Sequence, residues 1–374
     1  MTFKILKAPI DCHSPAISTP ECAMASNRRN ARYPMRLTGA ALAAMALLLP
    51  GLAGPSALAA NVGQQTPNYW MSGEDPVTVN DKKRDGSTDY LELFHPGAPW
   101  ASSAARLKGF KISTQMAFRG TDEQLKTVIE GLKARHIGMS IELGLLTYSD
   151  SPPSCGKGSE GIGREAAPGR PSSAERIARR LVALGGKLDY IELDEPVTWG
   201  YSRIGKTRAG YPFCHKSIDA LVNEMAPQIA TLRQYFPDIQ FGLVDSINSR
   251  WPDLPRGILS LIDTMDRELH VKIGFVHTDV AWDSDWRPGL QVLAQGLRAR
   301  GVRFGIICDA ALKSPTDEAW TDQALRQCRD VNDDPKTRLD DFMVQSWVPQ
   351  PSHYLPETKP GTTTWLLKQV EALR

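Results

Sequence analysis

The chain has 374 residues, with 44 Lys and Arg against 42 Asp and Glu and a formal net charge of +2. A balance this close to neutral, with no basic run, excludes a protein that tracks nucleic-acid phosphates. The charges are spread along the chain, as on an ordinary solvated surface.

Residues 1–34 are rich in Ser, Pro and Asn. From Leu37 to Ala60 the chain reads LTGAALAAMALLLPGLAGPSALAA, with Arg36 before it and no acid inside it. A short apolar core, a Pro-Gly break and small residues at Ala57-Leu58-Ala59 have the form of a secretory signal peptide. The strongest apolar run, Ala40 to Leu49, is too short to span a bilayer. The sequence therefore predicts cleavage near Ala59 or Ala60, a secreted or periplasmic product, and no stable membrane insertion. Met35 opens a compact signal peptide of its own (35–60) and reads as the start. Arg28-Arg29 lacks the surroundings of a twin-arginine signal. Residues 61–374, about 314 in all, suit one large domain or two small ones and can bury a sizeable core.

Within that part, short apolar runs alternate with amphipathic ones, the βα pattern. The runs are DYLELF (89–94), GFKISTQM (109–116), IGMSIELGLL (137–146), LDYIELDE (188–195), IQFGLVDS (239–246), VKIGFVHTDV (271–280), VRFGIICDA (302–310) and DFMVQSWV (341–348). Between them lie helical patterns. TDEQLKTVIEGLKARH (121–136) opens on Thr121 with Gln124 three residues on, a capping box. SSAERIARRLVALGG (172–186) has Ser172 or Ser173 as cap and a Gly pair as stop. Further helices are expected over 217–236, 256–269, 289–301, 317–330 and 362–374. Eight such units predict a (β/α)₈ TIM barrel, a single α/β domain over 61–374. No Gly-rich phosphate loop follows a first strand, as a doubly wound sheet would show, and no cofactor is expected. The Ser, Pro and Gly-rich segment 148–171 reads as a long loop after the third strand, on the face where such barrels keep their sites.

Strand side chains alternate faces. Glu142 shares a face with Ser140, Asp194 with Tyr190 and Glu192, and Asp279 with Phe275 and His277. Asp245 shares a face with Phe241 and Leu243. Glu195 and Asp309 close their strands. Lys111, Ser113 and Gln115 share a face on the second strand, Gln345 and Trp347 on the eighth. Several strands thus bring a carboxylate to their C-terminal ends. One such acid is often a helix cap. A set of them buried together is costly without a partner or a function, and crowding drives their pKa values apart. Trp199, Tyr201, Trp282, Trp286, Trp347 and Tyr354 fall around the same strand ends, either as loop anchors or as flat walls for a sugar ring. The exported part holds four cysteines. Cys155 and Cys214, both in Gly/Pro/Ser-rich loops, are the favoured disulfide; Cys308 and Cys328 either pair or leave Cys308 as a buried thiol. No Cys/His cluster suggests a metal.

The stretch LDEPVTWG (193–200) resembles the Asn-Glu-Pro end of strand four in the retaining glycosidase clan built on (β/α)₈ barrels. That resemblance implies Glu195 as general acid/base, with Asp194 in the position of the Asn that holds the sugar 2-hydroxyl. It also implies a nucleophile at the end of strand seven, where this chain has Asp309 in place of the clan's Glu. Asp245 and Asp279 are the other candidates for the second carboxylate. QSWVPQPSHYLPE (345–357) resembles a pattern in a group of exported bacterial barrel proteins without a firm activity.

The leading expectation is an exported glycoside hydrolase acting on an extracellular or cell-envelope polysaccharide. Its catalytic candidates are Glu195, Asp194, Asp245, Asp279 and Asp309. Its substrate-binding candidates are Lys111, Gln115, Glu142, Trp199, His277, Trp282, Gln345 and Trp347. The alternative is a glycan-binding barrel without catalysis. A metal-dependent hydrolase using His277 and Asp279 ranks third, because only His95 lies near the expected first strand, where a His-x-His would be needed.

Overall fold

A computed structural model describes residues 66–81, 89–147, 155–156, 170–207, 210–310 and 314–373. The expected signal peptide and the Met35 start lie outside the described residues, as does most of the 148–171 loop.

Eight parallel strands close into a barrel in chain order. They are β1 (Asn68–Ser72), β2 (Leu107–Ile112), β3 (Gly138–Leu143), β4 (Tyr190–Asp194), β5 (Gln240–Ile247), β6 (Ile273–Val280), β7 (Arg303–Cys308) and β8 (Asp341–Val344). β8 pairs with β1, Trp70 lying opposite Met343, so no strand edge is left open. The helices are α1 (Pro76–Asp81), α2 (Ala101–Ala104), α3 (Thr114–Arg119), α4 (Asp122–Ala134), α5 (Ser173–Ala183), α6 (Ile218–Tyr235), α7 (Leu254–Leu269), α8 (Arg287–Ala299), α9 (Asp317–Asp333) and α10 (Thr363–Glu371). The expected TIM barrel is the observed fold. Among the described residues no helix is long and apolar enough to cross a membrane.

Two expected elements differ. DYLELF is not the first strand; Leu91–Phe94 forms a 3₁₀ turn in the crossover from β1 to β2. Tyr90, Leu93 and Phe94 are its buried residues, a spacing of three and four that belongs to a helical turn rather than to a strand. The rings of Tyr90 and Phe94 pack edge-on with each other and with Phe110 of β2. The true β1, NYWMS, is shorter and stops at Gly73. The second departure follows β2. The strand ends at Ile112, and the Ser113 side chain accepts the Met116 N–H as the cap of α3. Gln115 therefore sits on a helix and not on a strand.

Caps set most other helix starts. Thr121 and Gln124 form the full capping box of α4, and Ser172, rather than Ser173, caps α5. Ser217, Thr316 and Thr362 accept first-turn N–H groups of α6, α9 and α10. Disulfides join Cys155 to Cys214 and Cys308 to Cys328.

The core has two layers. The larger lies between the outer face of the sheet and the helix ring. The smaller fills the barrel with Trp70, Tyr190, Val244, Phe275, Ile307 and Met343. Such large rings fit only because neighbouring strands carry no side chain at the same level. A Cβ on Gly109 would sit 2.3 Å from the Trp70 ring, and one on Gly242 would sit 2.2 Å from the Phe275 ring. Large and small residues thus alternate around the barrel.

Gly242→Ala should accordingly destabilise the fold by about 1–3 kcal/mol through overpacking. Gly274→Ala, on the next strand, meets nothing nearer than Phe241 O at 3.8 Å and should shift stability by no more than about 0.5 kcal/mol. Urea denaturation of the two variants checks the contrast.

Candidate functional site

The barrel interior is not apolar throughout. Lys111 of β2 is 1% exposed, and its ammonium lies 2.6 Å from Glu142 Oε2 and 3.1 Å from Glu192 Oε2. Register explains the meeting: Glu142 of β3 and Glu192 of β4 are paired, and Lys111 stands beside Ser140 of β3. Ser140 donates its hydroxyl to Glu192 Oε1, and His277 Nδ1 lies 2.9 Å from Glu192 Oε2. On its other side His277 Nε2 faces Asp341 Oδ2 at 3.6 Å, and Asp341 Oδ1 accepts the Arg303 Nε–H at 2.7 Å. The result is an unbroken alternation of sign: Glu142, Lys111, Glu192, His277, Asp341, Arg303. It runs from the C-terminal mouth of the barrel to its floor.

Burial opposes the charge on each inner member, but the neighbours win. Glu192 is held at about 2 by Lys111 and His277 against desolvation. His277 is pushed up by Glu192 and Asp341, again against desolvation, and Lys111 is raised by its two glutamates. His277, expected to bind substrate, is fully buried and committed to this chain of charges. It is therefore neither a wall of the mouth nor a metal ligand beside Asp279. Among the described residues no group of three or more His, Cys, Asp or Glu side chains is placed to hold a metal ion.

Above this chain is a cavity of about 270 Å³ between the ends of β1, β2, β3, β4 and β8. Of the sequence-derived candidates, Lys111, Gln115, Glu142, Asp194, Gln345 and Trp347 line it. Ser72 and Glu74 line it too; they end and follow the short β1, which lies ahead of the DYLELF run in which a first strand is expected.

A second group of acids stands around the same end of the barrel. Glu195 follows β4 with a left-handed backbone, φ 43°, an uncommon conformation for a residue with a side chain. The local structure holds it there. Its N–H donates to Val244 O at 2.9 Å, and Trp199 N donates back to Glu195 O at 3.0 Å. The Trp199 indole N–H donates to the Glu195 carboxyl. Asp245 completes the clamp. It lies on the outer face of β5, as its shared parity with Phe241 and Leu243 requires, and is fully buried. Its carboxyl accepts from Val197 N at 2.9 Å, from Thr198 N at 3.1 Å and from the Thr198 hydroxyl. Burial pushes Asp245 up to about 6, against those donors. Asp245 is thus not brought to the mouth with the other acids; it pins the turn that carries Glu195.

Asp309 follows β7 and is 8% exposed, and Asp279 points inward from the end of β6. Burial and the nearby charge of Asp279 push the Asp309 carboxyl well above the usual carboxylate range. The Trp282 indole, 2.6 Å away, donates to it and only partly offsets that rise. Trp282 packs edge-on against Trp286. Trp199 is less open than expected. The Arg203 guanidinium lies 3.6 Å from its ring centre and also stacks on Trp251. Nothing in the spacing of Arg203 signals that contact.

The QSWVPQPSHYLPE stretch is built into the scaffold. Glu357 accepts from the Ser102 hydroxyl at 2.7 Å and from Ser103 N at 2.9 Å, at the start of α2. Tyr354 N and Leu355 N donate to Asp89.

No family model and no curated protein matches the chain. Solved structures do match. A GH53 catalytic domain from Ignisphaera aggregans is 10% identical, with a TM-score of 0.48, over 83% of this chain and 96% of that one. A GH10 endoxylanase from a sugarcane soil metagenome is 10% identical, with a TM-score of 0.46, over 83% of this chain and 98% of that one. A mutant morphinone reductase in complex with tetrahydroNAD is also 10% identical, with a TM-score of 0.42, over 74% and 82%. Glycoside hydrolases stand among the structural neighbours, and the likeness is one of fold; no residue role is taken from it.

The chain of charges makes a prediction about stability. Lys111→Met leaves Glu192 buried without its ammonium and should destabilise the protein by about 3–5 kcal/mol. The pH dependence follows from the signs. Glu192 has a folded value of about 2 against an ordinary 4.5, so its contribution is whole above pH 4.5 and is lost as pH falls towards 2. His277 is raised above 6.5, so its contribution is whole below 6.5 and is lost as pH rises through the folded value. Denaturation midpoints should peak in mildly acidic buffer, and Glu192→Gln should flatten the acid limb.

Proposed function

We propose that the chain is an exported glycoside hydrolase acting on an extracellular or cell-envelope polysaccharide, with its chemistry at the C-terminal mouth of the barrel. The observation that carries this reading is the Asp279–Asp309 pair. One carboxyl at a strand end, Asp309, is pushed well above the usual carboxylate range by its burial and by the second carboxyl beside it. Splitting two acids into a proton donor and an anion is the arrangement glycosidic cleavage needs.

In this reading Asp309, rather than Glu195, donates its proton to the glycosidic oxygen as the bond to the anomeric carbon breaks. Burial, and after it the charge of Asp279, raises the pKa of Asp309 for that role. Glu195, oriented by Trp199 and by the Asp245 clamp, serves as the second carboxylate. It either attacks the anomeric carbon or takes a proton from the water that does. Carboxyl separations of about 5–5.5 Å and 6.5–9.5 Å distinguish the retaining and inverting outcomes. Asp194, Gln115, Gln345 and Trp347 hold the sugar in the cavity, with Glu142 presented by Lys111. The apolar stretch within 35–60 and the two disulfides support export.

One observation favours the binding-only alternative: Glu195 and Asp309 each already accept an indole N–H. Reducing-end assays on bacterial envelope polysaccharides separate the two readings, since a binding barrel releases none.

For the hydrolase, Asp309→Asn should lower kcat by about 10²–10⁴-fold. Activity should fall on the alkaline side as Asp309 loses its proton. Asp279→Asn removes the repulsion that raises Asp309, so that limb should move to lower pH. A limb that stays in place, measured as kcat/KM against pH, contradicts the assignment.

A further inference from the structure

Glu195 stands on a left-handed backbone and is 7% exposed. The Trp199 indole N–H, four residues on, donates to its carboxyl. An indole turns about its side-chain bonds, so that N–H points no more firmly than the ring is held. Whatever holds the Trp199 ring therefore helps to aim Glu195.

Arg203 is in place to hold it. Thr198–Ser202 form one wide, π-helical turn, which Arg203 N closes by donating to Thr198 O at 3.2 Å. The four-residue spacing brings the two side chains together. The Arg203 guanidinium lies 3.6 Å from the centre of the Trp199 ring. It also lies 4.8 Å from the ring centre of Trp251, in the loop after β5. The backbone under this stack is firmly seated. Asp245 holds Thr198, and a Cβ on Gly200 would come within 2.5 Å of Leu221 and 3.0 Å of Leu146. Ring and cation thus ride on one packed turn, and Trp251 ties that turn to the next βα loop.

We infer that Arg203 is a positioning residue for Glu195, acting through Trp199. A cation over an indole face is attracted by the ring quadrupole, and a flat guanidinium stacked on the ring resists its rotation. The same cation polarises the indole and makes its N–H a stronger donor to the carboxylate. Guanidinium, indole and carboxylate then form a series in which the first fixes the second and the second aims the third. The ring face under Arg203 is closed to a sugar, which gives Trp199 an orienting role in place of a stacking one. The inference rests on the reading of Glu195 as the second carboxylate, but the positioning itself can be observed without turnover.

The first test is the indole ¹H–¹⁵N NMR signal of Trp199 in the full chain, assigned by its loss in Trp199→Phe. Arg203→Leu should move that proton upfield as its hydrogen bond to Glu195 weakens. In a Glu195→Gln background the same substitution should move it less, because the charged acceptor is already gone. A signal that does not move in Arg203→Leu overturns the inference, as does an equal movement with and without the carboxylate. Arg203→Gln keeps a flat polar end and loses the charge; it carries the same expectations should Arg203→Leu fail to fold. The second test is kinetic. Arg203→Leu should lower kcat about 10–100-fold with KM within about twofold, the pattern of a displaced reacting group rather than of lost substrate binding. Trp199→Phe should cost about as much, and the double variant little more than either. Losses that multiply, or a rise in KM alone, overturn the inference. The two readings fail separately. A displaced indole signal without reducing-end release contradicts the hydrolase and leaves the positioning standing; release with an unmoved signal does the reverse.

Discussion

The ammonium of Lys111, buried between Glu142 and Glu192, is the constraint on which the upper barrel depends. An isolated charge at that depth is not tolerated, and a pair is seldom better than neutral against apolar packing. What makes it stable here is continuation. Each charge in the series from Glu142 to Arg303 has an opposite neighbour, and Ser140 satisfies the spare oxygen of Glu192. The series occupies the barrel core on β2, β3, β4, β6, β7 and β8, so it fixes those strands relative to one another. It also delivers a half-buried carboxylate, Glu142, to the cavity in a set orientation.

Above that level the barrel sorts its acids by surroundings rather than by residue type. Glu192 lies deeper than Asp309, yet it is the ionised one because cations flank it. Asp309 is pushed the opposite way, well above the usual carboxylate range, because it is buried beside another carboxyl. Asp245, equally buried, has turned outward and become a backbone anchor for the strained residue Glu195. Three carboxyls within one fold therefore do three different things, and each difference traces to the groups within hydrogen-bonding or Coulombic reach.

Much of this is legible in the sequence, and the gaps have physical causes. Seven strands and their order show in the βα rhythm, and parity alone places Glu142, Asp194 and Asp279 inside the barrel. The same parity puts Asp245 with Phe241 and Leu243, which signals an outward direction that its position near a strand end obscures. The first strand is hidden because NYWMS is short, whereas DYLELF has strand-like composition but buries residues at helical spacing. Gln115 changes element because Ser113 is a stronger helix cap than strand former. Partners are the least legible feature. Neither the tie of His277 to Glu192 nor the stacking of Arg203 on Trp199 leaves a local mark, since each joins residues made neighbours only by the closed fold.

The most direct test of this sorting is a carboxyl ¹³C NMR titration of the full chain with labelled Asp and Glu, assigned through Asp309→Asn and Glu192→Gln. The account predicts that Glu192 stays ionised down to about pH 2, while Asp309 titrates well above the usual carboxylate range. Two carboxyls that both titrate near their ordinary values of 4.5 and 3.8 would contradict it.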